Sequence, residues 1–262
     1  MKHIGLIVHP ARDEAKAVAE TIADVATGLG LTTELGVTAS TELVISVGGD
    51  GTMLAAAHQA LEFDLPIVGV NVGHVGYLAE IPRDDVATSL GRLAAGDFRI
   101  SERSTVAATL EDGNRHVGLN DIVIEKEISQ RVIHIEVAID GNPFARYRAD
   151  GLILATATGS TAYSLSAGGP VVDPELDVVL LTPVAAHSAF TRPLVLSHDA
   201  VATVTVTSER RARVNCDGVE VAMLDHGGRV DISGAGQNLR LITFDSRTYP
   251  HSVFEEFGHE SA

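Results

Sequence analysis

The pattern of hydrophobic runs changes character near residue 98, and that change sets what the chain can fold into. Before it, continuous apolar runs alternate with helical stretches. HIGLIVH (3–9), ELVISVGGD (42–50) and PIVGVNVG (66–73) read as strands, with helices over 12–28, 52–63 and 82–96. Strands that are apolar throughout and alternate with helices predict a parallel sheet covered on both faces. After Phe98 come short runs rich in β-branched residues, among them VIHIEVAI, GLILAT, DVVLLT, AVATVTVT and LRLITF. Turn dipeptides separate them, including Asp112-Gly113, Asp140-Gly141, Asp217-Gly218 and Gly227-Gly228, and this spacing predicts an all-β sandwich. The expected architecture is an α/β domain with a Rossmann-like parallel sheet over 1–98 and a β-sandwich domain over 99–245. A tail, 246–262, is expected to return to the first domain.

Charge narrows the function classes. With 35 Asp and Glu against 19 Lys and Arg, the net charge is −16 over 262 residues. No basic stripe is available to track a phosphate backbone, which argues against nucleic acid as a partner. No apolar run is long enough to cross a bilayer and the N-terminus lacks a signal-peptide pattern, so no membrane partner is expected. Cys216, the one cysteine, has no disulfide partner within the chain, in keeping with a cytoplasmic protein. Lys2, Lys16 and Lys126 are the only lysines. A carboxylate-rich, lysine-poor surface is screened only at high ionic strength, which suggests a halophilic source.

The strongest local signal is GGDGTML at 48–54. A buried strand ends, glycines follow, and a helix begins. Glycines let backbone amides approach a phosphate, and the helix N-terminus adds a favourable dipole. Asp50 is a carboxylate where phosphate would be repelled, which makes sense if it takes a proton from a hydroxyl nucleophile or helps hold Mg²⁺. A Walker A lysine, the protein-kinase motifs and a nucleophile elbow are all absent. A second signal is the run from Arg148 to Pro170, RADGLILATATGSTAYSLSAGGP. It is dense in hydroxyls and glycine and nearly uncharged, which suits a polar ligand such as a nucleotide. NVGHVGYLAE (71–80) is a glycine-punctuated turn after a strand, and Asn120-Asp121 is a pair of poor strand formers inside a strand pattern.

Taken in order, GGDGT, N-x-G-x-x-G-Y-L, the Asn-acid pair and DGLILATATGSTAYSLSAGGP closely resemble the NAD kinase family, from about His3 to Phe244. GGDGT alone also occurs in phosphofructokinases and lipid kinases, whereas the long last motif is specific. The resemblance implies phosphorylation of the 2′-hydroxyl of the adenosine ribose of NAD to give NADP, with Asp50 as catalytic base. Gly48, Gly49, Gly51 and Thr52 would shape the phosphate pocket, and Asn120 and Asp121 would hold the adenosine. Thr161, Ala162, Tyr163 and Ser166 would line the dinucleotide site. Asp150, Arg148, His134 and Ala185 would reach the nicotinamide half, often of a ligand bound chiefly by a neighbouring subunit. The resemblance also implies ATP or polyphosphate as donor, Mg²⁺ carried on the donor phosphates with no dedicated protein ligands, and a homodimer or homotetramer. Asp121 stands where many relatives carry Glu, and Tyr77 where Phe is frequent. Two alternatives stay open: a lipid or sphingoid kinase of the GGDGT superfamily, and a non-catalytic NAD(H)-binding sensor.

Overall fold

The structure, a computed structural model, describes residues 2–73 and 78–244. Along the chain the elements are β1 (His3–Val8), α1 (Asp13–Gly28), β2 (Thr32–Leu35), β3 (Leu43–Gly48), α2 (Asp50–Glu62), β4 (Ile67–Asn71), β5 (Ile81–Pro82), α3 (Val86–Ala95) and β6 (Arg99–Arg103). There follow β7 (Val106–Leu110), β8 (Arg115–Gly118), β9 (Asp121–Lys126), β10 (Ile133–Ile139), β11 (Asn142–Ala149), β12 (Gly151–Thr156) and the single turn α4 (Tyr163–Ser166). The chain continues through β13 (Val178–Val184), β14 (Leu194–Ser197), β15 (Ala202–Val206), β16 (Ala212–Cys216), β17 (Val219–Leu224), β18 (Arg229–Gly234) and β19 (Leu239–Thr243). The described residues form two compact units, one of 2–73 and 78–102 with 239–244, the other of 103–238.

The first unit is built on a sheet of order β2-β1-β3-β4-β19-β6, with β5 beside β4. β1, β2, β3, β4 and β5 pair in parallel; β3 and β4 are almost wholly buried, as a sheet covered on both faces requires, while β2, TTEL, is a polar outer strand. α1 buries Ala15, Ala19, Ile22 and Ala26, one stripe at helical spacing. Ile4, Ile45, Val47, Val68 and Ile242 belong to the same core.

The second unit stacks two antiparallel sheets, β11-β10-β15-β18-β7-β8 and β14-β13-β12-β9-β16-β17. Alternation assigns the faces. Ile122, Ile124, Leu152 and Leu154 enter the core between the sheets with Ile135, Tyr147, Val204 and Val230. Their neighbours Val123, Ile153 and Ala155 point the other way, into a smaller cluster with Leu180, Ala167 and Val172. That outer face of β9 and β12 carries the ligand-type residues.

The domain limits read from sequence need correction. LRLITF was assigned to the β-sandwich, but β19 joins the first sheet, Leu241 pairing in parallel with Ile67. Its apolar run fits either kind of sheet, and burial of Ile242 against Ile4 and Val68 decides the matter. The first boundary falls after Glu102, so β6 lies in the first sheet rather than the sandwich. The third predicted helix, 82–96, begins as a 3-10 turn (Arg83–Asp85), and regular α-helix spans Val86–Ala95. The expected tail at 246–262 lies outside the described residues, as does Tyr77.

Candidate active site

In the first unit the loops after β1, β3 and β4 surround a cleft of about 1010 Å³. It lies at the carboxyl ends of parallel strands, where open α/β sheets bind ligands. Gly49 caps α2 in extended geometry, and the Thr52 and Met53 amides donate to its carbonyl at 2.9 and 3.0 Å. Gly48 is dictated by packing, because a Cβ there would strike the Thr52 side chain. Gly49 and Gly51 meet no such obstacle, so their missing side chains leave open space before the helix N-terminus. Thr52 is 8% exposed, and its Oγ1 has no hydrogen-bond partner among the described residues. Asp50, the first residue of α2, accepts a hydrogen bond from the Leu78 amide at 3.4 Å. Across the cleft, the Gly73 amide donates to Asn71 Oδ1 at 2.9 Å, and Arg12 packs against Gly73. Arg12 and Gly49 thus line the cleft together with the carboxylates of Asp13, Glu14, Glu80 and Asp84, and Asp50 follows Gly49 at the helix N-terminus.

In the second unit Asn120 and Asp121 open β9 on a turn held from two sides. On one side the Thr156 amide donates to Asn120 O at 2.9 Å and the Thr156 hydroxyl to Leu119 O at 2.6 Å. Gly159 sits so close that a Cβ would collide with the Asn120 carbonyl. On the other side Asp217, in the β16–β17 turn, accepts hydrogen bonds from the amides of Leu119, Asn120 and Asp121 at 2.7, 2.8 and 3.1 Å. Asp121 is 5% exposed. Burial, reinforced by the Asp217 carboxylate, pushes its pKa up to about 7.

From Asp121 the outer face of β9 runs through Val123 to Glu125. At that far end Lys126 Nζ meets Asp150 Oδ1 at 2.6 Å, and Asn215 Nδ2 donates to Glu125 Oε1 at 3.0 Å. A small pocket of about 260 Å³ there is lined by Lys126, Asp150, Gly151, Tyr163 and Val184 among others. Tyr163 stands at this end, and its phenol pKa is raised first by burial and then by the carboxylates of Glu125, Asp150 and Asp121. Thr161 and Ala162 precede it in a 3-10 turn (Thr158–Thr161) and its cap, and Ser166 ends α4 on the exposed side. Ser160 Oγ and the Val172 amide, 3.1 Å apart, pin this segment to the chain beyond.

Ala185 follows β13 with φ of 46°, a strained value for alanine. It adjoins this end because the Asp150 amide donates to Val184 O at 3.0 Å. His134 and Arg148 are different. They are register partners on β10 and β11, both exposed and both on the opposite sheet from Tyr163. Arg148 is tied to the Ala185 segment through its backbone, its amide donating to Ser188 Oγ and its carbonyl accepting from His187. The structure therefore gathers Asp50 with Gly48, Gly49, Gly51 and Thr52, and separately Asn120, Asp121, Asp150, Thr161, Ala162, Tyr163, Ser166 and Ala185. Of that second group Asp150 and Tyr163 line the small pocket; His134 and Arg148 lie exposed on the other sheet. Sequence reading missed Lys126, Asp217 and Arg12. Asp217-Gly218 registered only as a turn, and Lys126 only as one of the three lysines.

Two family models match. The ATP-NAD kinase N-terminal domain covers residues 31–98 and the ATP-NAD kinase C-terminal domain covers 119–244. The chain is 38% identical over 228 residues to an NAD kinase of Thermobifida fusca, covering 84% of this chain and 70% of that protein. It is 42% identical over 213 residues to an NAD kinase of Heliobacterium modesticaldum, covering 79% and 75%. Among solved structures, an NAD kinase from Archaeoglobus fulgidus in complex with ATP superposes with a TM-score of 0.77 at 26% identity, covering 94% of each chain. Yeast NADH kinase complexed with NADH gives a TM-score of 0.87 at 23% identity, covering 100% of this chain and 89% of that one, a likeness of fold.

Proposed function

The chain belongs to the NAD kinase family, and on that premise we propose how its residues divide the work of phosphorylating NAD to NADP. Asp50 is the general base. It accepts the proton of the adenosine 2′-hydroxyl as that oxygen attacks the terminal phosphoryl group of the donor. The observation that carries this reading is its place: a carboxylate on the first turn of α2, beside glycines that keep the space before it open. Charge developing on the transferred phosphoryl group is met by the amides of that turn and by the Arg12 guanidinium, so positioning and electrostatics supply most of the catalysis. The buried Thr52 hydroxyl offers a further donor on the same side.

Asn120 and Asp121 hold the adenosine, through the adenine edge and a ribose hydroxyl. Tyr163, with Thr161, Ala162 and Ser166, lines the dinucleotide path towards Asp150 and Ala185. His134 and Arg148, exposed on the other sheet, serve a ligand bound chiefly by a neighbouring subunit in a homodimer or homotetramer. ATP or polyphosphate is the donor. A divalent cation would be carried on the donor phosphates, and the cleft offers hard oxygen donors, Asp13, Glu14, Glu80 and Asp84 among them, of the kind that suits Mg²⁺. When bound, that ion would neutralise phosphate charge as the bond to the leaving group weakens. No helix among the described residues is long and apolar enough to cross a membrane, in keeping with a cytoplasmic enzyme. The acidic surface suits a salty cytoplasm, where a Debye length of about 3 Å at 1 M removes long-range repulsion between protein and anionic substrates.

The match of the second family model over 119–244 favours NAD over the lipid acceptor of other GGDGT kinases. The test is NADP formation with NAD and Mg²⁺, run separately with ATP, other nucleoside triphosphates and polyphosphate. Turnover with at least one donor is expected. Tight NAD binding without turnover on any donor would instead support a sensor.

A further inference from the structure

The chain has several Asp-Gly hairpin turns that look alike in sequence and differ in what the aspartate does. At Asp140-Gly141, with φ of 50° and 75°, the Asp140 carboxylate accepts a hydrogen bond from the Val201 amide at 2.9 Å. That contact ties one hairpin to an adjacent loop. At Asp217-Gly218, with φ of 46° and 80°, the side chain is aimed elsewhere. Its two oxygens collect the successive amides of Leu119, Asn120 and Asp121, residues 96 to 98 positions away in the chain. The contact is reciprocal, since the Asp217 amide donates to Asp121 O at 3.0 Å. Gly118 completes the fit, because a Cβ there would lie 3.1 Å from both Asp217 Oδ1 and Cys216 Sγ.

Successive backbone amides converging on one carboxylate form an anion nest, here filled by the protein's own side chain. Hydrogen bonds to an ionised acceptor are short and directional. They fix the backbone of the two residues assigned to the adenosine, while Thr156 and Gly159 close the turn from the other side. The Asn120 and Asp121 side chains therefore start from a backbone clamped between two strand ends. A hairpin needs only the turn; it does not need its aspartate to reach the start of a neighbouring strand.

The geometry points to Asp217 as the positioning residue of the acceptor site: by gathering the Leu119–Asp121 amides it presets Asn120 and Asp121 for the adenosine half of NAD. The inference rests on the assignment of that turn to NAD, and it deepens it. It also makes Asp217 an electrical neighbour of Asp121. Among the described residues, the Asp217 carboxylate and the Cys216 thiol from the β16–β17 hairpin and the Tyr163 phenol from α4 interact electrostatically with Asp121. Of these, Asp217 is the one that raises the Asp121 carboxyl beyond what burial does.

The experiment compares wild type, Asp217→Asn and Asp217→Glu in the full chain, measuring KM for NAD, KM for the donor and kcat. An asparagine turns an amide donor towards at least one backbone donor. KM for NAD should then rise about 10–100-fold, the equivalent of one lost hydrogen bond to a charged group. KM for the donor should stay within about twofold, since a donor-side effect requires a different lever. Asp217→Glu keeps the charge with a longer reach and should recover part of the NAD affinity. The acid limb of the pH dependence of KM for NAD should move to lower pH in Asp217→Asn, because losing a neighbouring negative charge favours the ionised form of Asp121. A merely structural aspartate would weaken both substrates together, or lower the melting temperature without moving either KM or the pH limb, and either result overturns the inference. Asp140→Asn, a hairpin aspartate of the same geometry, is the matched control. Should wild type itself make no NADP with any donor, the functional reading fails; a change confined to stability in an active enzyme fails the positioning role alone.

Discussion

Replacing Asp121 with Asn should make the protein more stable and a poorer enzyme, and the size of the gain should depend on pH in a defined way. The Asp121 carboxyl is almost fully buried and titrates near pH 7 instead of its usual 3.8. The folded state therefore binds more protons than the unfolded state between these values. Stability falls as pH rises from about 4, and the loss levels off above about 7. At 1.36 kcal/mol per unit, a shift of about 3 units costs about 4 kcal/mol at pH 8 and about 2 kcal/mol at pH 5. Asn is close in shape to the protonated acid and carries no such cost. Urea denaturation of wild type and Asp121→Asn at pH 5 and pH 8 should show the variant's advantage growing by about 2–3 kcal/mol across that interval. Over the same range KM for NAD should be higher in the variant, the exchange of stability for function expected of a charged group kept buried for a ligand. A stability difference that is the same at both pH values would refute the reasoning, because the burial cost of an ionised Asp121 would then be absent.

The other consequences are more local. Gly159→Ala places a Cβ against the Asn120 carbonyl, so overpacking should cost about 3 kcal/mol, read as a loss of melting temperature with a raised KM for NAD; unchanged values for both would contradict the clamp on that turn. Lys126→Met removes the partner of Asp150 and should raise KM for NAD up to about fivefold with kcat intact; an effect on kcat alone would place Lys126 elsewhere in the reaction. Raising KCl from about 0.1 M to 2 M should increase both melting temperature and turnover by screening the acidic surface; activity highest at low salt would reject a salt-adapted chain.

Legibility differed between the halves of the molecule for physical reasons. The parallel sheet of the first unit was readable because its central strands are apolar on both faces, and Asp50 stood out as a candidate because a carboxylate among glycines at a strand end is out of place in an ordinary turn. The hydroxyl-rich run around Tyr163 was readable for its lack of charge. β19 was misassigned because Leu239, Leu241 and Ile242 would suit either kind of sheet, and pairing partners are not encoded in periodicity. Asp217 and Lys126 were missed because each acts on a residue distant in sequence. One looks like a hairpin turn and the other like a solvated strand end until β16, β9 and β12 lie side by side. Gly159 shows the same limit, since it reads as one more small residue in a polar loop until the Asn120 carbonyl is seen against it.

In the proposed mechanism one carboxylate, Asp50, does proton chemistry while the surrounding loops bind. Its most direct test is NADP formation by Asp50→Asn beside wild type, at saturating NAD, Mg²⁺ and the preferred donor, with NAD binding measured independently by calorimetry. The prediction is that kcat falls about 10²–10⁴-fold while the dissociation constant for NAD stays within about threefold. Turnover near that of wild type, or a parallel loss of NAD affinity and rate, would contradict it.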